Sequence, residues 1–171
     1  MTFEEVVFFS LAALAAVSAV LMLLQRSPVN SALFLILNFF SLGGLYLTLD
    51  AQFIAFVHIL VYAGAIMVLF LFVIMLLSLG DERRLAEHLG WKAYVAIGFS
   101  IGLLFEILSI IIVHSPGMLS AKSPNSMEMG TVEYIGKVLF TKFLFPFEAT
   151  SLLLLAAIVG AVILAKKKIS E

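Results

Sequence analysis

Five side chains that could bind, relay or pair stand out in otherwise apolar stretches: Asn38, His58, Tyr62, Glu106 and Glu148. An ionisable group in a lipid-soluble segment is a functional candidate by default, because hydrocarbon offers it no solvation. His58 and Tyr62 are four residues apart and share a helix face. Ala65 or Ile66, and then Leu69, extend that face. An imidazole and a phenol placed together can order water and pass a proton. The same pair can equally be structural, hydrogen-bonded to neighbouring helices. Haem ligation by His58 needs a second intramembrane imidazole, whereas His114 falls at a helix end and His88 in a polar connection. Glu106, in "GLLFEILS", costs ~2.5 kcal/mol or more to bury alone. It is expected to face a protein partner or an internal polar site. Glu148 follows Pro146 at the start of the last apolar stretch, where the helix dipole favours negative charge. Ser41, Ser100 and Ser151 can bond their own helix backbone. There is no nucleophile–base pair, phosphate-binding glycine loop or metal-ligand spacing. The chain has no cysteine, which removes disulfides, iron–sulfur ligation and thiolate metal sites.

The elements that hold these groups follow from composition. Hydrophobic residues make up 63% and charged residues 12% of 171, against about a quarter charged in soluble domains. Mean hydropathy is +1.18. The natural solvent is lipid. Net charge is −1, which suggests no nucleic-acid partner. The start, "MTFEEVVFFS", has an acidic flank unlike that of a signal peptide, so the first helix is expected to be retained. About 20 apolar residues span a bilayer, and five stretches qualify: 3–24, 29–49, 53–79, 92–113 and 147–165. The expected fold is all-α, a single membrane domain over 1–171 with five transmembrane helices and a loop over 114–146. "QRSPVN" reads as a tight turn with Pro28 at a helix start. "DAQ" is tighter still and makes the second and third helices antiparallel neighbours. Arg26, Arg83, Arg84, Lys92, Lys166, Lys167 and Lys168 collect on one side and only Lys122, Lys137 and Lys142 on the other. The positive-inside rule then puts the N-terminus outside and the C-terminus in the cytoplasm.

The third stretch is long. At ~1.5 Å per residue, 53–79 measures roughly 40 Å, against a hydrocarbon core of about 30 Å. It must tilt, protrude or contain an irregular turn. Within it, Gly64 lies between Ala63 and Ala65 and lowers helix stability by ~1 kcal/mol relative to Ala. Glycine there permits either close helix packing or a local widening of the hydrogen-bond register, a π-bulge. A small-xxx-small motif on Gly64 is absent, because Leu60 and Val68 stand four residues away.

Two blocks carry a family likeness. "SPVNSALFLILNFFSLGGLYLTLDAQFIAFVHILVYAGAIMVLFLFVIMLL" resembles the second and third helices of the J subunit of proton-pumping NADH:quinone oxidoreductase, respiratory complex I, a family that includes mitochondrial chain 6. "IGKVLFTKFLFPFEATSLLLLAAIVGAVILAKK" resembles its last helix. Together they cover roughly half of the chain, in the right order and at the right spacing. The first helix and the 114–130 stretch match in character only. The resemblance implies a core subunit of the membrane arm, in a bacterial cell inner membrane, between the quinone-binding module and the antiporter-like subunits. Its partners would be subunits K, A, H and N. It implies no cofactor on this chain, with NAD, FMN, iron–sulfur clusters and quinone bound by other subunits. It also implies a third helix that can carry a π-bulge, interconverting with plain α-helix as a water path beside subunit K opens and closes. Mapped here, the switch falls on Tyr62, Ala63 and Gly64, with Val68 and Leu69 one turn on. At the position of His58 the family can have Glu or Gln. Gln cannot titrate, so an essential proton at His58 is disfavoured. Two other readings stand beside this one: a related subunit of a cation/proton antiporter or membrane-bound hydrogenase complex, and a purely structural scaffold.

Overall fold

The computed structural model describes residues 2–77, 91–114 and 126–166. The polar connection with Arg83, Arg84 and His88, the end of the expected third span at 78–79, Lys122 in the later loop, and Lys167 and Lys168 lie outside the described residues. So does the Lys92 side chain.

Every regular element among the described residues is helical. Helix α1 spans Phe3–Leu24, opened by a reciprocal cap. The Thr2 hydroxyl accepts from the Glu5 N–H at 3.4 Å while the Glu5 carboxylate accepts from the Thr2 N–H at 3.0 Å. Helix α2, Pro28–Thr48, starts with Pro28 at its first position, where the missing N–H has no partner to lose. The two form a hairpin whose seam is built of small residues. Ala15 and Ser18 of α1 are buried, because side chains this short let backbones approach closely; Ala32, Ser41 and Gly43 of α2 are buried too, Gly43 against Ile59 rather than α1. Asn38 crosses the seam, donating from Nδ2 to the Ala15 carbonyl at 2.7 Å and the Ser18 hydroxyl at 3.4 Å. Ser31 donates to the Met22 carbonyl at 2.8 Å nearer the turn.

Asp50 makes the next turn with a left-handed φ of 62°, a conformation Asp tolerates better than most residues. Helix α3 then runs over Gln52–Leu76 and returns along α2. Its central part, Ile59–Ile66, is a π-helix flanked by α-helix on both sides. Of the three expected ways to accommodate its length, an irregular turn is present. Helix α4 covers Trp91–His114 and packs on no other described element.

The stretch expected as a loop, 114–146, contains two helices: α5, Ser126–Met129, and α6, Val132–Thr141. Its Pro, Ser and Gly residues concentrate before 131, and Thr131 then caps α6 by accepting from the Tyr134 N–H at 3.3 Å. Helix α7 begins at Leu144 and runs to Ala165, three residues before the expected start at 147. Pro146 is its third residue, where a missing N–H still costs nothing. Four helices, α1, α2, α3 and α7, are long and apolar enough to cross a membrane, and Tyr94–Ile110 forms a shorter apolar stretch in α4.

Candidate functional site: the wide turn of the third helix

The buried residues of α3 fall every fourth position: Ala55, Ala63 and Met67 are buried, and Ile59 stands between them against α2. In a regular α-helix each residue turns about 100°, so twelve residues from Ala55 to Met67 would carry this stripe ~120° around the axis. It would leave α2 altogether. Absorbing one extra residue in a wide turn brings the drift down to ~20°. The π register thus keeps one stripe facing one neighbour. At its lower end the Met67 N–H reaches back to the Tyr62 carbonyl, five residues away, and is shared with that of Gly64.

Gly64 sits inside this turn but not in a helix contact. A methyl built on it would meet only the Ile59 carbonyl, at an ordinary 3.5 Å. Among the described residues, close helix packing does not explain a glycine at 64. The close approach belongs to α2. A Cβ on Gly43 would lie 2.7 Å from Cγ1 and 2.9 Å from Cδ1 of Ile59, the first residue of the wide turn. One on Gly44 would lie 2.9 Å from Leu11 Cδ1 on α1. Adjacent glycines thus admit a neighbour on each side of α2.

His58 and Tyr62 do meet. Their ring centroids are 4.9 Å apart. Phe39 and Tyr46 of α2 complete a cage around the imidazole, with centroids 5.5 and 5.4 Å from it. Phe39 also lies 5.6 Å from Tyr62. The Nε2 atom of His58 is buried there and finds no hydrogen-bond partner among the described residues. Tyr62 is 46% exposed, so its ring closes the cage on one side and opens to the surroundings on the other. Val68 and Leu69, one turn on, are exposed and stand outside the cage.

The two carboxylates are elsewhere. Glu106 is exposed on α4, on one face with Gly98 and Gly102, neither of which has a neighbour within 4 Å of an added Cβ. Glu148 is the fifth residue of α7, past the first turn where the dipole acts, which corrects its placement at the helix start. Ser41, Ser100 and Ser151 bond their own helix, donating to the carbonyls of Leu37, Ala96 and Glu148 at 2.9, 2.9 and 2.7 Å. Among the described residues no three His, Asp or Glu side chains converge on a metal position.

Sequence reasoning missed three parts of this site. Phe39 and Tyr46 are seven apart, hence on one face of α2, and that spacing was available. The pair Gly43-Gly44 was equally visible. Gly130 was not: its carbonyl accepts from the Phe53 N–H at 3.1 Å, and an added Cβ would overlap the Asp50 carbonyl. Nothing local in "EMGT" signals a contact with the α2–α3 turn.

Apolar helices of membrane length, one carrying a wide turn beside caged polar rings, define the class: a helical multi-pass membrane protein. Comparison narrows it. The family model for NADH-ubiquinone/plastoquinone oxidoreductase chain 6 matches residues 18–164, and the chain belongs to that family. It is 32% identical to NADH-quinone oxidoreductase subunit J of Rhodobacter capsulatus, over 96% of this chain and 82% of the relative. It is 34% identical to NADH-ubiquinone oxidoreductase chain 6 of Marchantia polymorpha, over 97% and 88%. It is also 34% identical to NADH-quinone oxidoreductase subunit J of Buchnera aphidicola, over 96% and 99%.

Proposed function

We propose that this chain is a membrane-arm core subunit of a proton-translocating NADH:quinone oxidoreductase, and that α3 is its moving part. The observation that carries the reading is the π turn at Ile59–Ile66 inside a membrane-length helix. Helices interrupted at membrane depth persist where the break serves a site. Two registers of one helix need lie only a few kcal/mol apart to interconvert. Returning one residue to α-helix turns everything beyond it by about 100°. That rotation would sweep Val68 and Leu69, both exposed, across whatever lines the helix. Tyr62 lies within the turn, half-open, and supplies a hydroxyl to a water path.

In this reading the chain performs no redox chemistry and binds none of the electron carriers, which belong to other subunits. It crosses a bacterial inner membrane five times, N-terminus outside and C-terminus in the cytoplasm. Subunits K, A, H and N cover its exposed apolar faces, and Glu106 faces one of them. The relatives' names support a quinone oxidoreductase over a hydrogenase or antiporter complex.

The test is Gly64→Val in the assembled complex. A methyl at 64 fits, but a β-branched side chain is stiff and bulkier and biases the register. Quinone reduction and proton uptake should fall together at normal assembly on a native gel, with Tyr62→Phe milder. Full activity of the valine variant sinks the switch.

A further inference from the structure

We infer that Gly43 is a positioning residue for the wide turn: it fixes where the π register begins by seating Ile59. The inference rests on the reading of that turn as the switch, and it adds a residue on a different helix.

Ile59 faces both the groove of α2 and the wide turn. Its side chain fills the notch left by the missing Cβ of Gly43, where a real Cβ would stand 2.7 Å from Cγ1 and 2.9 Å from Cδ1. Its carbonyl lies beside Gly64, five residues on, 3.5 Å from where a Cβ would be. One residue therefore joins the groove of α2 to the carbonyl side of the wide turn. Above it, Ala55 is buried and the Ala55 carbonyl is the next atom that a Cβ on Gly43 would meet, at 3.8 Å. Upstream the helix is further pinned by the Phe53 hydrogen bond to Gly130. With residues through Ile59 immobilised, a register change has one direction in which to act. The rotation goes downstream, toward Val68 and Leu69.

Closing the notch removes that fixed point. An ordinary contact needs at least 3.4 Å, and 2.7 Å falls short of it by 0.7 Å. Ile59 is β-branched and stiff at χ1, so its Cγ1 cannot swing clear as a flexible chain end would. Gly44 provides the control. A Cβ there meets the Leu11 side chain on α1 at 2.9 Å, a similar overlap on the other side of the same helix.

The experiment compares Gly43→Ala, Gly44→Ala and the double variant Gly43→Ala/Ile59→Ala in the whole complex. The readouts are a density map resolving residues 52–77, quinone reductase activity and proton uptake per assembled complex. Overpacking a formed contact should disfavour the seated position of Ile59, and with it the placement of the turn, about tenfold or more. Gly43→Ala is expected to lose or displace the π turn, Gly44→Ala to keep it. The double variant removes Cγ1 and Cδ1, the two clashing atoms, and should restore it. A π turn unchanged at Ile59–Ile66 in Gly43→Ala overturns the inference. Equal disturbance by Gly44→Ala also overturns it, as does failure of the double variant to recover a Gly43→Ala complex that does not assemble. A displaced turn with full activity would support Gly43 as the seat and instead remove the switch reading.

Discussion

Gly130→Ala tests the clamp that holds the upstream half of α3. Helix α3 has no side-chain cap at its start, so its first N–H groups need partners from elsewhere. The Phe53 N–H finds the Gly130 carbonyl at 3.1 Å. A methyl at 130 would overlap the Asp50 carbonyl and lie 3.3 Å from the Ala51 Cα. These are backbone atoms of a tight turn, and no rotamer change relieves them. The segment must move away and the Phe53 bond must lengthen. Overpacking costs ~1–3 kcal/mol and a lost hydrogen bond ~1 kcal/mol, offset by under ~1 kcal/mol from the stiffer unfolded chain. A net ~2 kcal/mol at this contact is roughly thirtyfold in the opening equilibrium. Hydrogen exchange of the peptide that contains Phe53, in the intact complex, reads this directly. It should accelerate by about that factor. Gly136→Ala on α6 is the companion: nothing lies within 4 Å of its added Cβ, so Phe53 exchange should not change. Unaltered Phe53 protection in Gly130→Ala refutes the clamp.

Two further expectations concern the hairpin and the topology. Asn38→Leu removes the bonds to Ala15 and Ser18 and should lower resistance of the assembled chain to heat-induced dissociation by the equivalent of ~0.6–1.7 kcal/mol. Ser18→Ala should be milder, because that hydroxyl donates within its own helix to Ala15 at 3.0 Å; equal effects would place the cost in packing rather than in the cross-seam bond. For topology, the chain has no native cysteine. A cysteine added ahead of Met1 and Ser170→Cys should label from opposite faces of sealed vesicles, and labelling from the same face rules out five spans.

Helix positions were legible because the bilayer sets a length. Pro28 marked the start of α2, and the tight "DAQ" turn marked the return of α3. The helical content of 114–146 was obscured by composition. "SPNSM" reads as loop, yet Thr131 followed by the amphipathic "VEYIGKVLF" is a capped helix start. The same oversight applied to Thr2 and Glu5, whose spacing is that of a capping box. Gly64 drew attention through its place beside Tyr62, whereas the glycine with a steric reason was Gly43, on a helix whose span carries no Asp, Glu, His, Lys or Arg. A notch is defined by its occupant, and Ile59 is sixteen residues away.

The wide turn is the instructive case, because its trace is present in the sequence and is masked by the solvent. Ala51, Ala55, Ala63 and Met67 recur at multiples of four. In a soluble protein such a stripe would stand out against a polar face, and its period of four rather than 3.6 would mark an overwide turn before any coordinates existed. In α3 the opposite face is Leu60, Ile66, Leu69, Phe72 and Leu76, which lipid welcomes as readily as α2 accepts alanine. Hydropathy therefore carries no phase information here. Side-chain size does, because the seam selects for small residues and lipid does not. Three of those four positions are alanine, and once burial sets Ala63 apart from the equally small but exposed Ala65, their spacing requires the helix to take up an extra residue between Ala55 and Met67 to stay seated on one neighbour. The π register at Ile59–Ile66 is thus a consequence of where the small residues are placed, with Gly64 permitting the turn and Gly43 locating it.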